Sequence, residues 1–75
     1  MTRALHVVWS LGALDDWQRL PPDAQAPVAH AVEHFPAEGV AIASGPTEYL
    51  LFVDLHAIVL LVDGDTLHVD RIRRA

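Results

Sequence analysis

Apolar and polar positions along the chain change period twice, and those changes mark its elements. Ala4 to Trp9 (Ala-Leu-His-Val-Val-Trp) is short, β-branched and aromatic, which predicts a strand, and Ser10 follows as a candidate helix N-cap. From Leu11 to Leu20 the apolar residues Ala13, Leu14, Trp17 and Leu20 recur at three- and four-residue spacing, the pattern of an amphipathic helix. Asp15 and Asp16 are expected early in that helix, where its dipole favours carboxylates. Pro21 and Pro22 end it. Asp23 is then the expected cap of a second helix whose stripe is Val28, Ala31, Val32 and Phe35, with Pro27 in its first turn and Pro36 and Gly39 as stops. Ala37 to Thr47 carries Gly39, Gly45 and Pro46, and Ala41-Ile42-Ala43 is too short an apolar run to be read as anything but loop. Glu48 to Val53 and Leu55 to Val62 read as strands. Asp63-Gly64-Asp65 then turns the chain into Thr66 to Arg73, completing a three-strand meander.

The expected fold is therefore α+β in the order β-α-α-β-β-β, one domain spanning residues 1–75, with a helical hairpin on one face of a mainly antiparallel four-stranded sheet. Alternation places Tyr49, Leu51 and Val53 on one side of their strand and Leu50 and Phe52 on the other. The next strand has Ile58, Leu60 and Val62 on one side and Ala57, Val59 and Leu61 on the other. Strands apolar on both sides are expected to be covered on both. Two helices cover only one face, so Leu50, Phe52, Ala57, Val59 and Leu61 are expected to meet a second copy or a partner chain. The alternative cover is the segment around Ala41 to Ala43, or the C-terminal tail, folded across the patch. In the last strand Leu67 and Val69 share a face while Ile72 falls out of step, which predicts a bulge near Asp70 and Arg71.

Composition narrows the function. The chain is 52% hydrophobic, has no cysteine, and carries a net charge of -5 from ten acidic and five basic side chains. A core of this size supplies roughly 3–5 kcal/mol, and no disulfide or thiolate metal site is available to add to it, so a partner subunit is an expected source of stability. The acidic balance disfavours general nucleic-acid binding, which calls for a basic stripe against phosphates. A local positive patch remains, because three of the five basic residues crowd together as Arg71, Arg73 and Arg74. The mainly apolar run from Tyr49 to Val62 is interrupted by Asp54 and His56 and is well below the roughly 18 residues of a membrane span. With no signal-peptide pattern and no cysteine, a cytoplasmic location is expected.

Several further residues carry chemistry in principle. His30-Ala31-Val32-Glu33-His34 fits the His-x-x-Glu-His spacing of a zinc-binding helix. A protease would need a distant third ligand and a cleft, so the expected role is a solvated helix face and no metal site is assigned. His6, His56 and His68 fall on strands, where an acid–base role needs an orienting carboxylate such as Asp70 for His68. Trp9, Trp17 and Tyr49 are expected in the core. No Gly-rich phosphate loop, nucleophile elbow or paired-carboxylate signature is present, and no cofactor is expected.

Val8-Trp9-Ser10, Ala13, Asp16-Trp17 and Leu20 before Pro21-Pro22 resemble the first strand and helix of the RelE/ParE toxin superfamily. Tyr49-Leu50-Leu51 is similar to that family's Tyr-Arg-Leu strand, and Ile58 through Asp65 with Val69-Asp70-Arg71-Ile72 resembles its closing hairpin. The likeness runs over nearly the whole chain. It implies a toxin–antitoxin system, in which some members cleave mRNA on the ribosome, others poison DNA gyrase, and an antitoxin neutralises both. The mRNA-cleaving members place basic groups on the exposed sheet face to stabilise the charge that develops at phosphorus. Here Leu50 stands where the Tyr-Arg-Leu strand has its arginine, and Ala57 stands where the next strand usually has another. Arg74 is near the family's C-terminal His or Arg, and the sequence ends at Ala75, before the tail that often holds a further catalytic residue. The resemblance thus implies a member acting by protein binding, either as a gyrase-directed toxin or as a catalytically degenerate one, with Arg71, Arg73 and Arg74 as polar contacts. Its alternatives are a ribosome-dependent mRNA endonuclease using Arg74 with His56 or His68, and a homodimeric structural or regulatory module without toxin activity.

Overall fold

The computed structural model describes residues 5–37 and 40–74. The chain runs through β1 (His6–Trp9), α1 (Leu11–Gln18), α2 (Pro22–Glu33), β2 (Val40–Ala43), β3 (Glu48–Val53), β4 (His56–Asp63) and β5 (Thr66–Arg74). All five strands form one sheet in the order β1-β5-β4-β3-β2. β1 runs parallel to β5, with Val7 opposite Leu67 and Trp9 opposite Val69, and the remaining pairs are antiparallel. The fold is α+β with two helices as expected, and the sheet is mainly antiparallel, but it has five strands where four were expected, and the pairing of β1 with β5 makes it mixed.

The extra strand is β2, in the segment read as loop. Its four residues are all exposed, so burial leaves no alternation in their sequence. What holds β2 is its ladder to β3, Val40 opposite Phe52 and Ile42 opposite Leu50, which is main-chain bonding available to any residue but proline. Ala4 of the expected first strand, and Glu38 and Gly39 of the expected linker, lie outside the described residues.

Ser10 caps α1 as its sequence predicts: its hydroxyl accepts the Ala13 N–H at 3.0 Å. The two aspartates are not in the first turn. Asp15 pairs with Arg19 on the surface at 3.2 Å, and Asp16 turns toward β5. α2 starts differently from expectation, with Pro21 at the cap position, Pro22 as the first helical residue and Asp23 in the first turn without a capping bond. Proline suits that position because the N–H it lacks has no partner there anyway. Gln25 fixes the angle between the helices. Its Nε2 donates to the carbonyls of Trp17, Gln18 and Leu20, while Trp17 Nε1 donates back to the Gln25 carbonyl at 2.9 Å.

The helices cover one side of the sheet. Ala13 from α1 and Val28, Ala31 and Val32 from α2 close over Leu51, Ile58, Leu60, Leu67, Val69 and Ile72. No polar or charged residue is buried among the described residues. Trp9 meets Trp17 edge-on at 6.3 Å between centroids, and Phe35 meets Tyr49 likewise at 5.5 Å, so the three aromatics expected inside pack against this core.

Two-residue loops join β3 to β4 and β4 to β5, and each begins with a positive φ, 52° at Asp54 and 61° at Gly64. Tight hairpins need that conformation to match strand twist, and glycine adopts it without a Cβ penalty. Gly64→Ala is expected to cost about 1–2 kcal/mol in a urea titration, although open space surrounds the added methyl.

Candidate functional site

The face of the sheet away from the helices is assembled by the strand ladders. Leu50 lies opposite Val59, and Phe52 opposite Ala57, with Glu48 opposite Leu61. On the far side of β4, Leu61 lies opposite His68, Val59 opposite Arg71 and Ala57 opposite Arg73. β2 extends this face with Val40 and Ile42, which are 62% and 53% exposed, and β1 adds His6 and Val8. The segment around Ala41 to Ala43 therefore does not fold across the apolar patch. It widens the patch as an edge strand, and residues up to Arg74 are committed to β5.

Polarity changes across the face in strand order. β2, β3 and β4 contribute Val40, Ile42, Leu50, Phe52, Val59 and Leu61, whereas β5 contributes His68, Arg71 and Arg73. The expected bulge produces this boundary. The ladder steps from Leu60 opposite Val69 to Val59 opposite Arg71, leaving Asp70 as the extra residue. Between the apolar and basic parts lies a depression of about 320 Å³ lined by Ser44, Glu48, Leu50, Val59, Asp70, Arg71 and Arg73. Ser44 Oγ donates to Glu48 Oε2 at 2.9 Å along its rim. The depression offers two guanidinium groups, two carboxylates and two aliphatic side chains, a set suited to a peptide surface that presents both charge and apolar bulk.

The three C-terminal arginines do not form one patch. Arg74 lies opposite His56 on the helix side, where both line a cleft of about 310 Å³ with Pro21, Asp23, Ala24, Asp54 and Leu55. His56 Nδ1 is buried there without a hydrogen-bond partner. Two of the candidate catalytic residues, His56 and Arg74, thus come together, but across the sheet from Arg71 and Arg73. The third, His68, is on the open face between Val8 and Leu61. His30 and His34 stack on the exposed side of α2 with centroids 4.1 Å apart, and His34 Nδ1 lies 2.8 Å from the His30 carbonyl. Among the described residues, no three His, Cys, Asp or Glu side chains are grouped to hold a metal ion. No described helix is long and apolar enough to cross a membrane.

Sequence reasoning found Leu50, Phe52, Ala57, Val59 and Leu61 from alternation alone. It missed Val40, Ile42 and Ser44, which reach the face through β2 and the loop beside it, and Glu48, which heads β3 in step with Leu50 and Phe52. The signal available for β2 was the β-branched pair Val40 and Ile42 at strand spacing, and for Glu48 the alternation of its own strand.

A helical hairpin on one face of a five-stranded mixed sheet, with the opposite face open, places the chain in a definite class of small α+β domains. Solved structures of that class include a chain of the toxin–antitoxin complex RelBE2 from Mycobacterium tuberculosis, 15% identical, with a TM-score of 0.75 over 97% of this chain and 100% of that one. A chain of the RelB-RelE antitoxin-toxin complex from Methanococcus jannaschii is 16% identical, with a TM-score of 0.70 over 89% of this chain and 88% of that one. At these identities the likeness is one of fold. No family model and no curated protein matches the sequence.

Proposed function

We propose that the protein is a RelE/ParE-like component of a toxin–antitoxin pair and acts by binding another protein chain through the open face of its sheet, without cleaving RNA. The observation that carries this reading is the composition of that face. Val40, Ile42, Leu50, Phe52, Val59 and Leu61 form a continuous apolar surface over three strands, edged by Arg71 and Arg73. An apolar core with a charged rim is the anatomy of a protein interface, and a soluble monomer rarely leaves so wide an apolar patch in water. The fold shared with chains of two toxin–antitoxin complexes supports the same reading.

The endonuclease alternative requires basic groups where Leu50 and Ala57 stand. Those positions lie opposite Val59 and Phe52, so β3 and β4 offer no positive charge to a phosphate on this face, and the guanidinium groups of Arg71 and Arg73 share their depression with the carboxylates of Glu48 and Asp70. Arg74 and His56 are paired on the other side of the sheet, separated from Arg71 and Arg73, and the net charge of -5 repels RNA at long range.

Induced expression in a bacterial host, followed by growth and by size-exclusion light scattering of the purified protein, tests the proposal. Growth arrest with intact cellular mRNA is the expected result. Arrest accompanied by site-specific mRNA cleavage would overturn the non-catalytic part. Normal growth with a stable dimer would favour the homodimeric module, in which a second copy covers the same face.

A further inference from the structure

We infer that Ser10 and Asp16 are positioning residues that hold Arg71 and Arg73 on the open face, so that helix α1 sets the chemistry of the opposite side of the sheet. β1 stops at Trp9, opposite Val69, and from Asp70 onward β5 has no strand on that side. The start of α1 takes the missing strand's place. Ser10 N–H donates to the Val69 carbonyl at 3.0 Å, and Ser10 Oγ donates to the Asp70 carbonyl at 2.9 Å. Asp16 Oδ2 accepts the Ile72 N–H at 3.1 Å. These bonds grip β5 immediately before, at and after the bulge.

The bulge decides which way the arginines point. Leu67 and Val69 face the helices, and uninterrupted alternation would send Arg71 and Arg73 after them while turning Ile72 outward. One extra residue at Asp70 reverses this: Arg71 lies opposite Val59, Arg73 opposite Ala57, and Ile72 is buried opposite Ile58. Ser10 serves twice, since the hydroxyl that caps α1 by accepting from Ala13 also donates across to the bulged carbonyl. Asp16 supplies a charged acceptor to an N–H that would otherwise lie against a helix with no partner. That the arginines, once placed, contact a partner rests on the proposal above; their placement does not.

The rival account is that burial of Ile72 alone sets the strand phase, and nuclear magnetic resonance of the full chain separates the two. In Asp16→Ala, the Ile72 amide is expected to exchange at least about tenfold faster, as the loss of a hydrogen bond to an ionised acceptor implies. The cross-strand contacts Val59–Arg71 and Ala57–Arg73 should be lost while Val7–Leu67 persists, and Asp16→Asn, which keeps an acceptor oxygen, should restore most of the protection. Ser10→Gly removes the hydroxymethyl group and leaves the helix start nearly as stable, because glycine is well tolerated at an N-cap, and it carries the test should Asp16→Ala fail to fold. A chain lacking Asp70 has a regular ladder with the same partners and should keep both arginine contacts even with Asp16→Ala. Unchanged contacts and Ile72 protection in the folded single variants would overturn the inference, as would loss of the contacts in the chain lacking Asp70. None of these readouts involves a partner, so the inference fails or stands separately from toxin activity.

Discussion

A Leu60→Ala chain is expected to melt about 10–30 °C below the natural protein, or to remain unfolded at growth temperature. Leu60 is completely buried, lies opposite Tyr49 and Val69, and belongs to the core cluster that includes Ala13 of α1 and Val28, Ala31 and Val32 of α2. Removing its isopropyl group costs about 2–5 kcal/mol through lost burial and the cavity left behind. The whole stability of a domain this small is of that order. At about 4–8 °C per kcal/mol for a chain of this size, differential scanning calorimetry resolves the change easily. Leu61→Ala is the matched comparison. The two leucines are neighbours in β4 but face opposite sides, and Leu61 is only half-buried, so its loss should cost less than about 1 kcal/mol in the monomer. Equal costs at both positions would mean that the open face is packed in solution as tightly as the core, which only a second chain can achieve.

Charge reversal at two arginines is expected to abolish the proposed partner binding while leaving stability unchanged. In an Arg71→Glu, Arg73→Glu chain the melting temperature should stay within a few degrees, because both guanidinium groups are exposed and such charges contribute little to folding. Growth arrest should disappear. Losing charged partners at a desolvated interface costs about 2–5 kcal/mol, roughly a thirtyfold or greater loss of affinity for any partner chain recovered with the natural protein. Arg74→Glu is the internal control. It lies across the sheet beside His56, so both growth arrest and affinity should be unchanged. If Arg74→Glu alone removed the toxicity while the double reversal did not, the cleft of His56 and Arg74 would be the working surface and the endonuclease reading would take precedence.

The helices and the meander were legible because each announces itself locally. Ala13 and Trp17 or Val28, Ala31 and Val32 keep helical spacing, Pro21-Pro22 divides the hairpin, and Gly64 marks a turn whose positive φ favours glycine. The bulge was legible too, since Ile72 breaks the alternation set by Leu67 and Val69. What stayed hidden depends on contacts between distant residues or on main-chain bonding alone. Nothing near His6 or Thr66 records that their strands run parallel, since that register is fixed across sixty residues of chain. β2 earns its place through the backbone, so its side chains carry no periodic signal. Asp16 was misjudged for a related reason. Its position in a helix suggested a role toward the dipole of α1, whereas its acceptor serves the amide of Ile72 at the other end of the sequence. For the candidate site, alternation identified the apolar residues but not the division of the arginines, which follows from the ladder between β4 and β5.

The position of β5 also bears on how the protein is made. This strand lies between β1 and β4, yet it leaves the ribosome after every other described element. A nascent chain that has reached Asp63 can form both helices and pair β2, β3 and β4, but β1 has no neighbour to join, and the edge of β4 stays bare. Closure waits for residues 66–74, whose pairing with β1 spans almost the full sequence and is correspondingly slow. Until then Leu51, Ile58 and Leu60 lack much of their cover, and an interrupted translation product presents unpaired strand edges and core side chains to cellular proteases. Synthesis of residues 66–74 therefore acts as a commitment step, because only chains translated through β5 acquire the finished surface.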